Sequence, residues 1–230
     1  MNQDRRDRLR DAAIAVLAQE GGRGLTHRAV DAASAVPTGT AKNYFPTRDA
    51  LLRAAAERCV EQYRVLAQTL AGAGQEHGQE PGAEPGAESG PRPESGPRPG
   101  SGPGPEPGPG PADAAQLAAL LAGLLRNVAG PGRTRVLAYL ELQAEAARRP
   151  WLAALLDPVA EADFTAHAYL LRAAGLPAAP ERARALTLAL HGAIPHLLAG
   201  TPATLAAAGL DDLDRFTREL LAAVCEEETP

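Results

Sequence analysis

Leu25-Thr-His-Arg-Ala-Val-Asp-Ala-Ala-Ser-Ala-Val-Pro-Thr-Gly-Thr-Ala-Lys-Asn-Tyr-Phe-Pro-Thr-Arg-Asp-Ala-Leu-Leu52 is the stretch on which the fold turns. Thr26 is a cap residue ahead of a short helical run, 27–33. Ser34-Ala35-Val36 then makes a three-residue connection to a second short helix expected over about 37–44. Pro46 stops that helix, and Thr47 caps a longer one whose apolar stripe runs Leu52, Ala55, Cys59, Tyr63, Leu66 and Leu70. Upstream, residues 4–20 place Leu9, Ala13, Val16 and Leu17 on one stripe, and Gly21-Gly22 ends the run. Two short helices joined by a tight turn and flanked by longer ones have the layout of a helix-turn-helix.

Inside the second short helix, Ala41 and Phe45 lie four residues apart and share the core face with Val30 and Val36. Thr38, Gly39, Lys42 and Asn43 fall on the opposite arc, and Thr40 and Tyr44 flank it. These are short or hydrogen-bonding groups suited to base edges in a major groove, with phosphates in reach of the flanking pair. Lys42 is the only lysine of the chain. Each of these residues taken alone also fits an ordinary solvated face.

Working outward, residues 72–112 are almost entirely Gly, Pro, Glu, Ala, Ser and Arg, with Glu-Pro-Gly-Ala repeated at 80–87 and Glu-Ser-Gly-Pro-Arg-Pro at 88–99. Such a composition buries too little apolar surface to offset its ordering entropy, so a disordered insertion is expected. Beyond it, helices are expected at 113–129, 133–148, 150–174, 181–199 and 203–226, with Pro158 and Pro195 kinking or splitting two of them. The chain has 230 residues, 45% apolar and 3% aromatic, which argues for helices throughout and one or two domains. Residues 1–70 carry eleven basic and eight acidic side chains; the other 160 carry twelve and twenty, so a positive head sits on an acidic body. The resulting expectation is an all-α protein divided into a helix-turn-helix domain at 1–50, a connecting helix at 51–71, the insertion at 72–112 and a helical bundle at 113–230.

Several function classes drop out. Cys59 and Cys225 support neither a disulfide framework nor a metal cluster. There is no Gly-rich phosphate loop and no Gly-x-Ser-x-Gly nucleophile elbow, so no enzyme, cofactor or metal is expected. No apolar run approaches a membrane span, and the charged N-terminus lacks a leader's apolar core; a cytoplasmic protein is expected.

The residues Leu25-Thr26, Val30, Gly39-Thr40, Tyr44-Phe45, Arg48-Asp49 and Leu51-Leu52 closely resemble the DNA-binding region of the TetR family of bacterial transcriptional regulators. The resemblance spans roughly residues 8–55 and departs from the family pattern at Pro37, Ala41 and Lys42, which alters the expected operator preference. It implies a homodimeric regulator of a palindromic double-stranded DNA operator, a repressor released by a small-molecule effector. It assigns DNA contact to Thr26, Arg28, Thr38, Gly39, Thr40, Lys42, Asn43, Tyr44, Thr47 and Arg48. Thr26 and Thr47 are equally read as plain helix caps. Dimerisation falls on the last two long helices, with Leu188, Leu197, Leu220 and Leu221 as interface candidates or, alternatively, internal core. An effector pocket would draw on Tyr139, Gln143, His167, Tyr169 and His191, polar residues on otherwise apolar helices. The run from Glu141 through Glu145 to Arg149 reads as a solvated ridge. The competing reading is a helical protein-interaction module that has lost DNA binding; steep weakening of DNA affinity by salt separates the two.

Overall fold

The structure, a computed structural model, describes residues 2–72 and 110–226. The described residues form ten helices and no strand: α1 Asn2–Gly24, α2 His27–Ala33, α3 Thr40–Tyr44, α4 Arg48–Gly72, α5 Ala114–Ala129, α6 Arg133–Ala146, α7 Pro150–Ala173, α8 Pro180–Ala199, α9 Pro202–Ala207 and α10 Leu213–Cys225. The expected disordered insertion lies, between 73 and 109, outside the described residues.

Two departures from the expected spans have clear local causes. The helix expected over 203–226 is two helices, because Gly209 takes a left-handed φ of 69° and Asp212 caps α10 by accepting the Arg215 N–H at 3.0 Å. The helix expected over 37–44 begins only at Thr40, so the turn before it covers six residues and not three. Neither Pro158 nor Pro195 splits its helix. Gly21, with φ 71° and ψ −178°, does break α1 internally, which is where the glycine pair was expected to end it.

Burial organises these helices around two apolar clusters. The first gathers Leu9, Leu17, Leu25, Val30, Ala41, Phe45, Leu51 and Leu52 from α1 to α4 and continues into Leu142 of α6 and Leu152 and Leu156 of α7. The second joins Leu117 and Leu121 of α5, Leu171 of α7, Leu186 of α8 and Leu221 of α10. The helix-turn-helix therefore shares its core with α6 and the first half of α7. Fully burying each such leucine contributes roughly 1.5–3 kcal/mol, so the N-terminal helices draw much of their stability from the following bundle.

A polar seam fastens α1 to α4 on the solvent side of that core. Arg10, 7% exposed, donates to the Ala54 carbonyl, to Asp7 and at 2.6 Å to Glu61. Arg58 grips Asp11 with Nε and Nη2 at 2.7 and 3.0 Å. Burial pushes the Glu61 carboxyl up, but the guanidiniums of Arg10 and Arg58 outweigh that and hold it below the usual carboxylate range.

Candidate nucleic-acid interface

α3 has only five residues, too few to hold itself together, and its position is imposed from outside. Asp31 of α2 is 2% exposed, and its two carboxylate oxygens accept the backbone N–H groups of Gly39 and Ala41, each at 2.7 Å. One buried carboxylate thus caps a helix eight residues downstream and satisfies two of the N–H groups that a helix start leaves open. His27 closes the other end, its Nε2 donating to the Phe45 carbonyl at 2.6 Å. Ala41 and Phe45 plug the core at 0% and 2% exposure. Together these contacts tie both ends of α3 to α2.

Gly39 is not inside the helix, where it was expected, but at its cap with φ 94°, a left-handed conformation that favours glycine. A side chain built there would meet nothing within 4 Å, so the backbone at this point faces open space. Pro37 contributes a carbonyl, which accepts the Thr40 hydroxyl at 2.6 Å and the Thr40 N–H at 3.1 Å. The capping Asp31 explains how a chain with Pro37 ahead of the helix starts it without a local capping side chain.

Of the expected contact residues, Thr38, Lys42 and Asn43 are exposed, Thr38 in the turn and the other two on α3. Thr40 and Tyr44 are half-buried at its flanks. Thr26 and Arg28 are exposed at the start of α2, and Thr26 accepts the Ala29 N–H at 3.1 Å. Thr47 is exposed and accepts the Ala50 N–H at 3.0 Å. The N-terminal α1 turn adds exposed Arg5, Arg6 and Arg8, with the Arg6 guanidinium 5.2 Å from the centre of the Phe45 ring, at the far end of α3. Arg48 differs from the rest of this set. Its Nη1 and Nη2 donate to the carbonyls of Leu25 and Gly22, so its guanidinium is bound into the scaffold beneath the surface that it was expected to join.

The Gly21-Gly22 break is also where the N-terminal helices meet α6. The Gly22 N–H donates to Glu141 at 2.8 Å, while the Gly22 carbonyl takes Arg48. A Cβ on Gly22 would sit 2.7 Å from Oε1 of Glu145, a residue 8% exposed whose carboxylate is held by Arg148 and Arg149. Arg149 reaches on to Asp49 of α4 at 3.7 Å. The Glu141–Arg149 run is therefore a docking ridge between α6 and the N-terminal helices, and not a solvated one. Its acidic residues face a glycine pair because only a bare backbone lets α1 come that close.

Deeper in the bundle, three of the five expected effector contacts come together. Tyr139 packs its ring 5.2 Å from Tyr63 of α4, and burial pushes its phenol up to about 12. His167 is buried with its Nδ1 in a 3.0 Å hydrogen bond with the Thr187 hydroxyl, which also reaches the Ala183 carbonyl at 2.8 Å. Burial lowers its pKa, which keeps the ring neutral. His191 pairs with Asp163 at 3.1 Å. Gln143 is exposed, and Tyr169 abuts the backbone at Gly110. The residue pattern gave no sign of Cys59, Tyr63 or Arg135, which join the group, because on α4 and α6 they sit at ordinary core-facing spacings. Burial pushes the Cys59 thiol up to about 12, so it stays protonated.

Among the interface candidates, Leu188 is 61% exposed, an isolated large apolar side chain on α8. Leu197 and Leu220 are half-buried against the second cluster. Leu221, 4% exposed, belongs to that cluster and has no surface to offer a second copy, because α10 turns it toward α5 and α8.

Residues 112–226 match the family model described as Tetracyclin repressor-like, C-terminal domain. The chain belongs to the TetR family. Regulation of transcription through DNA binding comes with that membership, and the helix-turn-helix precedes the matched segment as the TetR architecture requires. The multidrug binding protein EbrR, solved with imidazole, is 28% identical over 98% of this chain and 97% of its own, with a TM-score of 0.53. A TetR-family member from Streptomyces coelicolor A3 is 27% identical over 97% of this chain and 99% of its own, with a TM-score of 0.57. A transcriptional regulator from Rhodococcus sp. Rha1, 20% identical over 95% of both chains, shares the fold at a TM-score of 0.63. No curated protein sequence matches the chain. Among the described residues no helix is long and apolar enough to cross a membrane, and no group of His, Cys, Asp and Glu is placed to hold a metal ion.

Proposed function

We infer that the protein is a homodimeric repressor that grips a palindromic operator with α3 and releases it when a small effector enters the C-terminal bundle. The observation that carries this reading is the Asp31 clamp. It fixes a five-residue helix with Lys42 and Asn43 exposed and the Gly39 backbone open. A surface helix held that firmly, with its polar arc outward, supports base reading in the major groove. Residues 1–50 would read DNA, and 113–230 would bind effector and the second copy. Thr26, Arg28, Thr38, Gly39, Thr40, Lys42, Asn43, Tyr44 and Thr47 make up the proposed contact set, with Arg48 as the residue that positions it. Two recognition helices must sit about 34–36 Å apart to meet successive major grooves, and an effector that favours another spacing lowers operator affinity.

Selection of bound duplexes from a random pool at physiological salt tests the reading and is expected to enrich a palindrome. With that duplex, Lys42→Ala is expected to weaken binding about tenfold, the scale of one base or phosphate interaction of about 1–3 kcal/mol, with an unchanged melting curve. Unchanged affinity would show that this face of α3 does not meet DNA. A folded dimer that enriches nothing would leave the interaction module in its place.

The dimer has its own test. Leu188→Glu puts a charge on the exposed apolar side chain of α8 and is expected to give a monomer in analytical ultracentrifugation, with palindrome affinity falling in parallel. Leu221→Glu is no substitute, because it would unfold the second core. A Leu188→Glu protein that stays dimeric would move the interface off this face of α8.

A further inference from the structure

We propose that the grip on DNA extends from α3 onto the first turns of α1, where Arg6, flanked by Arg5 and Arg8, binds the phosphodiester strand that passes the end of the recognition helix; this rests on the α3–DNA contact proposed above. Phe45 is the point where the elements of this surface meet. It is 2% exposed, its carbonyl accepts His27 Nε2 at 2.6 Å, and the Arg6 guanidinium lies 5.2 Å from its ring centre. The first turns of α1 and α2 are thereby both held at the far end of α3, two residues before Thr47. Arg6 is itself exposed, so its guanidinium packs on the ring while presenting N–H groups to solvent. A long side chain already ordered on a rigid ring has given up part of the rotamer freedom that contact with an anion costs.

The charges around Arg6 point the same way. Arg5 and Arg8 are exposed on the same turns, Arg28 is exposed on α2 and Lys42 on α3, and no ion pair among the described residues includes any of these five cations. The other arginines of the N-terminal helices engage the protein itself: Arg10 holds Glu61, Arg48 two backbone carbonyls and Arg58 Asp11. Two nearby acids are turned elsewhere, Asp7 accepting Arg10 at 3.1 Å and Asp49 lying 3.7 Å from Arg149, which leaves Asp4 as the acid of the first α1 turn. A guanidinium offers paired N–H groups to phosphate oxygens. The major groove that takes α3 is walled by two phosphate strands, so a cation fixed at the end of that helix meets backbone and not base. The contact therefore adds affinity and register but no sequence preference.

The test titrates salt against the affinity of the full chain, by fluorescence anisotropy, for the selected palindrome and for a random-sequence duplex. Phosphate contacts need no sequence, so the second duplex reads the contact even where no palindrome is enriched. Arg6→Gln is expected to flatten the log–log salt slope by about one on both duplexes and to leave the enriched sequence unchanged, while Arg6→Lys keeps the slope. Single neutral methylphosphonate linkages locate the contact: at one position the substitution should weaken the unaltered protein about fivefold and leave Arg6→Gln unaffected. An unchanged slope in Arg6→Gln would overturn the proposal and leave Arg6 as a support for the Phe45 ring. A preference for A·T pairs that Arg6→Gln abolishes would overturn the backbone contact in favour of the minor groove. If Lys42→Ala weakens palindrome binding and Arg6→Gln changes nothing, the operator reading stands and this contact falls. If Arg6→Gln flattens the slope on the random duplex but no palindrome is enriched, the contact stands and the operator reading falls.

Discussion

Asp31→Ala is expected to abolish operator binding and to lower the melting midpoint by roughly 10 °C. The carboxylate makes two 2.7 Å hydrogen bonds from an almost fully buried position, and both run to backbone N–H groups of the α3 turn. Hydrogen bonds to a charged group contribute about 1.5–3 kcal/mol each, and truncation leaves two N–H groups without an acceptor, so the loss is about 3–5 kcal/mol. For a chain of this size each kcal/mol moves the midpoint by roughly 2–4 °C. Five residues have no intrinsic tendency to stay helical, so α3 should lose its order even where the rest of the chain survives. Asp31→Asn, which keeps one acceptor oxygen but turns an amide N–H₂ toward a backbone donor, is expected to fall between. Circular dichroism melts and fluorescence anisotropy on the selected duplex measure both effects. An Asp31→Ala protein with normal affinity would mean that α3 is set by Ala41 and Phe45 packing and not by the carboxylate.

Arg48→Ala is the second large effect, expected to cost about 2–4 kcal/mol and to weaken operator binding without changing its salt dependence. The guanidinium bridges the carbonyls of Gly22 and Leu25, one at the break in α1 and the other just ahead of α2. Its removal strands two acceptors in a half-buried corner, each at a cost of about 1–2 kcal/mol. It also frees the junction where Gly22 meets Glu141, so the N-terminal helices lose their angle to α6. A lysine cannot span both carbonyls with one ammonium, so Arg48→Lys should recover about half of the stability. The salt slope separates this reading from the one that the sequence suggested. Removing a side chain that neutralises a phosphate would flatten the slope by about one, whereas removing one that only braces the scaffold leaves it alone. A flattened slope with an unchanged melt would return Arg48 to the DNA surface.

The two variants bear on how the site was legible. Thr26 and Thr47 announced two helix starts, and both caps are formed as the residue types imply. Ala41, Phe45 and Val30 face the core because four-residue spacing leaves them no other side of the helix. Asp31 gave only a faint sign, a charged residue directly after the buried Val30, and nothing local says which N–H groups it will take. Arg48 is expected on the DNA surface from its place at a helix start, and the Glu141–Arg149 run is expected in solvent because charge on a helix usually is, yet close approach of a glycine backbone turned both inward. Leu221 and Leu188 look alike in the sequence and differ only in which side of a bundle they end up on.

What the sequence determined by itself is local: where helices start and stop, which stripe of each is apolar, and the run of residues that marks the helix-turn-helix. Capping chemistry, the 3.6-residue period and the conformations open to Gly and Pro act within a few residues of chain, so they can be read without a partner. The tertiary structure alone decided that α3 is held by a carboxylate on another helix, that the N-terminal core runs on into α6 and α7, and that the α1 break docks on Glu141 of α6. Those outcomes depend on which groups meet across tens to more than a hundred residues. A side chain's burial and hydrogen-bond partners belong to the packed arrangement and not to its neighbours along the chain.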